Sequence, residues 1–174
     1  ALAPMRAYLT GGKLVLTGSV PDRRVADALL RRAGTIVGAA AVVDGMVVDP
    51  FASMPGDVAV HVAERVLFAP GSSAVSAEYL DLVESWRGVL AAYPSARMVV
   101  TGFTDGQGRT DVNARLSEAR AQGVAGWMQA RGVEADRFEA RAMGAEAPSA
   151  TNDTAAGRAE NRRIQVDLVG LLTI

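Results

Sequence analysis

Thr101-Gly-Phe-Thr-Asp-Gly-Gln-Gly-Arg-Thr-Asp-Val-Asn-Ala-Arg-Leu-Ser-Glu-Ala-Arg-Ala121 passes from a strand end, through a polar loop, into the first turns of a helix. Val99, Val100 and Thr101 are branched at Cβ and favour a strand over residues 97–102. Gly106 and Gly108 let the loop from Phe103 to Arg109 turn sharply. Asp105 sits in that loop. Asn113, Ser117 and Arg120 follow at spacings of four and three, which puts them on one helical stripe. An acidic group at a strand end thus faces a cationic group on the next helix. Such a pair can clamp a ligand that carries both an ammonium and a carboxylate. It can equally be an internal ion pair, and spacing alone does not choose. Further alternatives stay open: an Asx turn for Asp105, a bridge to Glu118 or Asp105 for Arg120, a helix N-cap for Asn113.

Outward from this stretch the pattern continues. Before it, Val58 to Phe68 reads as a strand and Ala69-Pro-Gly-Ser-Ser73 as a break. Ser76 is placed to cap a helix in which Tyr79, Leu82, Val83, Trp86, Leu90 and Tyr93 recur at helical period as core. The helix holding Arg120 is expected to run to about Arg131, burying Leu116, Ala119, Gly123, Trp127 and Met128, with Gly132 as its stop. Phe138 to Met143 reads as a strand, 144–154 as a polar loop and Ala155 to Asn161 as a short helix. A last strand alternates Ile164, Val166 and Leu168. The order strand, helix, strand, helix, strand, short helix, strand predicts an α/β (α+β sandwich) fold, a mixed sheet with helices on one face.

The first fifty residues read separately. Met5 to Thr10 and Lys13 to Thr17 flank Gly11-Gly12, a hairpin signature. Pro21-Asp22 opens a helix with Val25, Ala28, Leu29 and Ala33 on one stripe and Gly34 as a stop; Val42 to Val48 reads as a strand. Asp49-Pro-Phe-Ala-Ser-Met-Pro-Gly-Asp57 reads as a boundary loop. Two domains are therefore expected, residues 1–52 and 53–174.

Bulk properties exclude several functions. The net charge of −1 over 174 residues does not give the basic footprint of a nucleic-acid binder. With no cysteine there is no disulfide, thiolate catalysis or thiolate metal site, and His61 as the sole histidine rules out a histidine-rich zinc site. No Gly-x-Ser-x-Gly elbow is present, and Asp105-Gly-Gln-Gly-Arg-Thr-Asp111 lacks the acidic alternation and final glutamate of a calcium loop. No metal and no cofactor is expected. No apolar run reaches the ~18 residues that span a bilayer, so the sequence reads as a soluble piece of a longer protein with a signal or membrane segment upstream.

Three motifs, Gly102-Phe-Thr-Asp105, Asn113-x-x-Leu-Ser-x-x-Arg-Ala121 and Asn152-Asp-Thr-x-x-Gly-Arg-Ala-x-Asn-Arg-Arg163, occur in this order. Together they resemble the OmpA-like peptidoglycan-binding domain, over roughly the last two thirds of the chain. The resemblance implies a β-α-β-α-β-(α)-β mixed sheet and non-covalent, non-catalytic binding of peptidoglycan through the meso-diaminopimelate of its stem peptide. Carried over by motif position, Asp105 would take the ligand ammonium and Arg120 its carboxylate. Asn113 would hydrogen-bond the ligand or fix the loop, with Thr104 and Arg162 flanking. Arg163 is expected to knit the last loop to the sheet. Phe103 stands where the family commonly has histidine, which is expected to change affinity or pH dependence without removing the site. Leu16-Thr-Gly18, Val20, the following helix, Gly38 and the closing valine strand resemble part of a BON module, a β-β-α-β unit of cell envelopes. That implies an alternative role, binding of lipid or another envelope surface through residues 1–52, with Arg23, Arg24, Arg31 and Arg32 meeting anionic headgroups; the same four arginines also read as a solvated helix face. Both resemblances imply an extracytoplasmic place in the envelope.

Overall fold

The computed structural model describes residues 2–174. Its elements are β1 (Arg6–Thr10), β2 (Lys13–Val20), α1 (Arg23–Val37), β3 (Val42–Val48), β4 (Val58–Leu67), α2 (Leu80–Ala92), β5 (Arg97–Gly102), α3 (Thr110–Gln129), β6 (Phe138–Ala142), α4 (Ala155–Asn161) and β7 (Arg163–Leu172). The strands form one mixed sheet in the order β3-β2-β1-β4-β7-β5-β6. Two compact units make up the chain: residues 2–63 with Asp167–Ile174, and Glu64–Val166. The division falls inside β4 and β7 rather than in the proline-rich loop, because β1 pairs with β4 from Ala7↔Val60 to Leu9↔Val62.

In the first unit, β1 and β2 pair antiparallel down to Thr10↔Lys13, and Gly11 and Gly12 make the turn with φ of 53° and 73°. The Asp22 side chain accepts the Val25 N–H at 3.0 Å and starts α1, which buries Val25, Ala26, Leu29 and Ala33. The helix does not stop at Gly34. It runs to Val37 and ends at Gly38, which takes the positive φ of 84° and returns its N–H to the Gly34 carbonyl. The helix arginines are largely committed. Arg23 pairs with Asp27 and reaches Asp44, Arg24 pairs with Asp22, and Arg32 donates to the Leu171 carbonyl.

In the second unit, β5 and β6 run parallel and α3 packs on both. Val83, Trp86 and Leu90 carry the buried side of α2. Ser76 does not cap that helix; it precedes a single 3₁₀ turn, Ala77–Tyr79, without a side-chain cap bond. Arg137 holds the end of α2 and the turn after it, donating to the carbonyls of Leu90, of the cap residue Tyr93 and of Ala96 at 2.7–2.9 Å. The buried stripe of α3 differs from the apolar one expected. It is Asn113, Ser117, Arg120, Ala121, Val124, Ala125 and Met128, so its first half is polar and only Met128 is shared with the expectation. The polar stripe is buried because each of its side chains finds partners in the loops above β5. No helix among the described residues is long and apolar enough to cross a membrane.

Candidate functional site

The site lies where β5 hands over to α3, within the second unit. Gly102 is required there, since a Cβ would sit 1.9 Å from the Ser117 carbonyl oxygen. This contact sets the helix against the strand end. Ser117 Oγ accepts the Gly144 N–H at 2.9 Å, and the Gly144 carbonyl accepts the Thr104 N–H at 2.7 Å. The loop after β6 is thereby fastened to both elements.

Asp105 satisfies two readings at once. One carboxylate oxygen accepts the Gln107 N–H at 3.0 Å in an Asx turn, and the other accepts Arg162 Nη1 at 3.1 Å. Both side chains of this ion pair are mostly buried, at 13% and 14% exposure. Arg162 also donates Nε–H to the Phe68 carbonyl, so it comes to the carboxylate from a fixed position.

Arg120 is fully buried, and its partners are backbone carbonyls rather than Glu118 or Asp105. It donates to Ser72 at 2.9 Å, Phe103 at 2.8 Å and Ala69 at 3.3 Å, and its guanidinium lies 5.1 Å from the centre of the Phe68 ring. Burial, and secondarily the nearby Arg162, push its pKa down to about 10, with Asp105 opposing. It still carries its charge at neutral pH, neutralised by no carboxylate in direct contact.

Asn113 is not the N-cap, a place held by Arg109 without a side-chain bond. It lies one turn into α3, where Nδ2 donates to the Gln107 carbonyl at 3.0 Å and fixes the loop. Thr104 is buried, and its hydroxyl has no hydrogen-bond partner. A buried hydroxyl left so is disfavoured by about 1–3 kcal/mol.

All five residues singled out in the sequence, Thr104, Asp105, Asn113, Arg120 and Arg162, line one cavity of about 240 Å³. Pro70 and Gly71, in a stretch that reads only as a break, form part of its wall. Asn152 and Asn161 belong to the third motif. Asn161 is fully buried and donates to Asn152 Oδ1, which also accepts the Gly106 N–H at 2.9 Å, so the pair moors the loop that bears Asp105. Their spacing of nine residues across a turn and a short helix offers no simple periodic signal.

Phe103 lines neither this cavity nor the one beside it. Its ring lies 3.8 Å beneath the Arg163 guanidinium, a buried cation–π contact. Arg163 donates to Ala147 and Asn161 carbonyls and ties the last loop to the sheet. Asp111 pairs with Arg109 and Arg115 on the surface and lines neither cavity. Among the described residues no group of three or more His, Cys, Asp or Glu is placed to hold a metal ion.

A mixed-sheet α/β unit carries an acid- and arginine-lined cavity between a strand end and a helix. The fold is similar to that of the peptidoglycan-associated lipoprotein from Burkholderia pseudomallei, with a TM-score of 0.59 and 30% identity over 61% of this chain and 91% of that one. The OmpA family matches residues 67–162, and the chain belongs to that family. Among curated relatives, the probable lipoprotein YiaD of Escherichia coli is 33% identical over 112 residues, covering 64% of this chain and 51% of YiaD. The peptidoglycan-binding protein ArfA of Mycobacterium tuberculosis is 38% identical over 96 residues, covering 55% of this chain and 29% of ArfA. The match thus spans about half of the one relative and under a third of the other.

Proposed function

We propose that this chain binds peptidoglycan non-covalently, through the diaminopimelate of the stem peptide, and anchors an envelope protein to the cell wall without catalysis. The observation that carries this reading is the convergence of Asp105, Arg120, Arg162 and the unpartnered Thr104 hydroxyl on one cavity. The free end of diaminopimelate bears an ammonium and a carboxylate on one carbon. Asp105 supplies the anion for the first, the two guanidiniums supply planar donors for the second, and Thr104 has a hydrogen bond to give. Asn113 holds the loop in place. Relatives named for peptidoglycan binding and for outer-membrane or lipoprotein attachment support the reading and place the chain in the extracytoplasmic envelope.

Charge-assisted hydrogen bonds contribute roughly 1.5–3 kcal/mol each, so one head group is held weakly. Many copies of that group on one wall give firm attachment through avidity. A glycosidase would need a second carboxylate at the cleft, and Asp111 lines no part of it. Co-sedimentation with purified wall tests the reading. The chain is expected to pellet with wall and to be released by millimolar free diaminopimelate; a chain that stays in the supernatant, or releases soluble wall fragments, would overturn it.

A second reading keeps residues 1–52 as a BON-like module that meets lipid. The helix arginines give it little, being mostly paired within the unit. What favours it is the loop after β3, where Phe51 is 87% and Met54 64% exposed. Because β1 needs β4 as a partner, the intact chain is the right sample. Flotation with anionic vesicles, abolished by Phe51→Ser, is the result this reading expects; no flotation of the wild type removes it.

A further inference from the structure

β3 is an outer strand of the sheet, with β2 on one side and, among the described residues, no strand on the other. We propose that this edge joins a second copy of the chain, β3 antiparallel to β3 about a two-fold axis at Gly45. The inference stands apart from the wall-binding reading, since β3 lies outside the stretch matched by the OmpA family.

The backbone of the edge faces outward in a known register. Asp49 N–H donates to the Val20 carbonyl, and the pairing of β3 with β2 is unbroken from Leu14↔Val42 to Val20↔Val48. Backbone groups of alternate residues point to opposite edges of a strand. Val43, Gly45 and Val47 therefore turn to β2 with Asp49, and Val42, Asp44, Met46 and Val48 turn away from it. Met46 N–H agrees with this, because it meets the Asp44 carboxylate of its own strand at 3.0 Å.

The edge is also apolar. Val43, Val47 and Val48 are 41%, 61% and 44% exposed. Exposed edges are ordinarily kept short and charged, which stops strands adding to them. The other outer strand, β6, follows that rule: it has five residues and carries the exposed Glu139–Arg141 pair. β3 has seven residues, four of them valine, with Asp44 as its one charge.

The sequence of β3 selects a second copy as the occupant. Val42-Val43-Asp44-Gly45-Met46-Val47-Val48 reads nearly the same from either end. A two-fold interface sets one patch against itself, and an antiparallel strand meets its own sequence reversed. With Gly45 opposite Gly45, Val42 meets Val48 and Val43 meets Val47, each twice. Asp44 meets Met46, so no like charges stand directly opposite, and Arg23 of the same chain lies 3.9 Å from Asp44. The outward residues exchange hydrogen bonds across the axis, and Val43 and Val47 form the closer, non-hydrogen-bonded pair. Met46 N–H exchanges its bond to the Asp44 carboxylate for one to the facing carbonyl, which keeps the association modest. One strand pair is also a small interface, so a dissociation constant of about 10–100 µM is expected. Two chains so joined carry two copies of the cavity at Asp105, which adds avidity on a polymeric ligand.

Two measurements on the intact chain test the pairing. Sedimentation equilibrium should show a monomer–dimer equilibrium for the wild type, weakened at least about tenfold in Val47→Lys, whose lysine guards the edge. Val47 is exposed, so the melting temperature should not change. The register is tested by disulfide trapping, for which the absence of cysteine in the chain is convenient. Opposed Cα atoms of a non-hydrogen-bonded pair are about 4.5 Å apart, within disulfide reach. The two copies of residue 43 are about 13 Å apart in this register. Under mild oxidation an equimolar mixture of Val43→Cys and Val47→Cys should give covalent dimers, and each variant alone should not. A wild type that stays monomeric at about 1 mM, ten times the upper expected constant, overturns the pairing. So does a dimer unaffected by Val47→Lys, or trapping of each variant alone as readily as of the mixture. None of these outcomes bears on wall binding.

Discussion

Arg120→Ala is expected to lose the fold's stability together with the ligand. The guanidinium is fully buried and bonded to the carbonyls of Ala69, Ser72 and Phe103, which come from two separate stretches of chain. Truncation leaves these acceptors without their donor and opens a void beside Phe68. The expected loss is roughly 3–5 kcal/mol, combining unsatisfied carbonyls with a large-to-small cavity. Urea unfolding decides: a midpoint unchanged from wild type would show that the three carbonyl bonds contribute little.

Asp105→Asn is expected to weaken the ligand more than the fold, although it also breaks a mostly buried ion pair with Arg162. The amide keeps the size of the carboxylate and an acceptor oxygen for the Gln107 N–H. It loses the charge that faces Arg162 and would face an ammonium. Loss of one charge-assisted contact of about 1.5–3 kcal/mol predicts a drop in affinity of roughly 10- to 100-fold. The neighbouring guanidinium, left without its counter-ion, strengthens the effect. Calorimetric titration with diaminopimelate measures the drop, and a thermal melt that stays cooperative, lowered by the loss of the Arg162 partner, is the companion result.

The sequence shows the strand, loop and helix around Asp105 because each rests on local chemistry: branched residues at 99–101, glycines at 106 and 108, a helical period after 110. The same local rules find the hairpin of β1 and β2. They do not reach the partners of Arg120, which lie about fifty residues upstream at Ala69 and Ser72. Spacing puts Asn113, Ser117 and Arg120 on one stripe of α3, but it does not show that this polar stripe is buried while Leu116, Ala119, Gly123 and Trp127 are less so. The end of α1 was displaced from Gly34 to Gly38 for a related reason: either glycine can stop a helix, and the choice depends on which one takes positive φ. Strand order is the least local property. That β7 lies between β4 and β5, and that β1 pairs parallel to β4, follows from contacts across most of the chain. Motifs gave the cavity's residues without its geometry; the bonds of Asp105 and Arg120 to their actual partners came from the structure.

The most direct test of the central claim is an NMR titration of the intact chain with free meso-diaminopimelate. The account predicts saturable shifts confined to amides of residues 103–120 and those around Arg162, with no comparable response in Asp105→Asn. A well-folded chain whose spectrum does not change, or shifts that persist undiminished in Asp105→Asn, would contradict it.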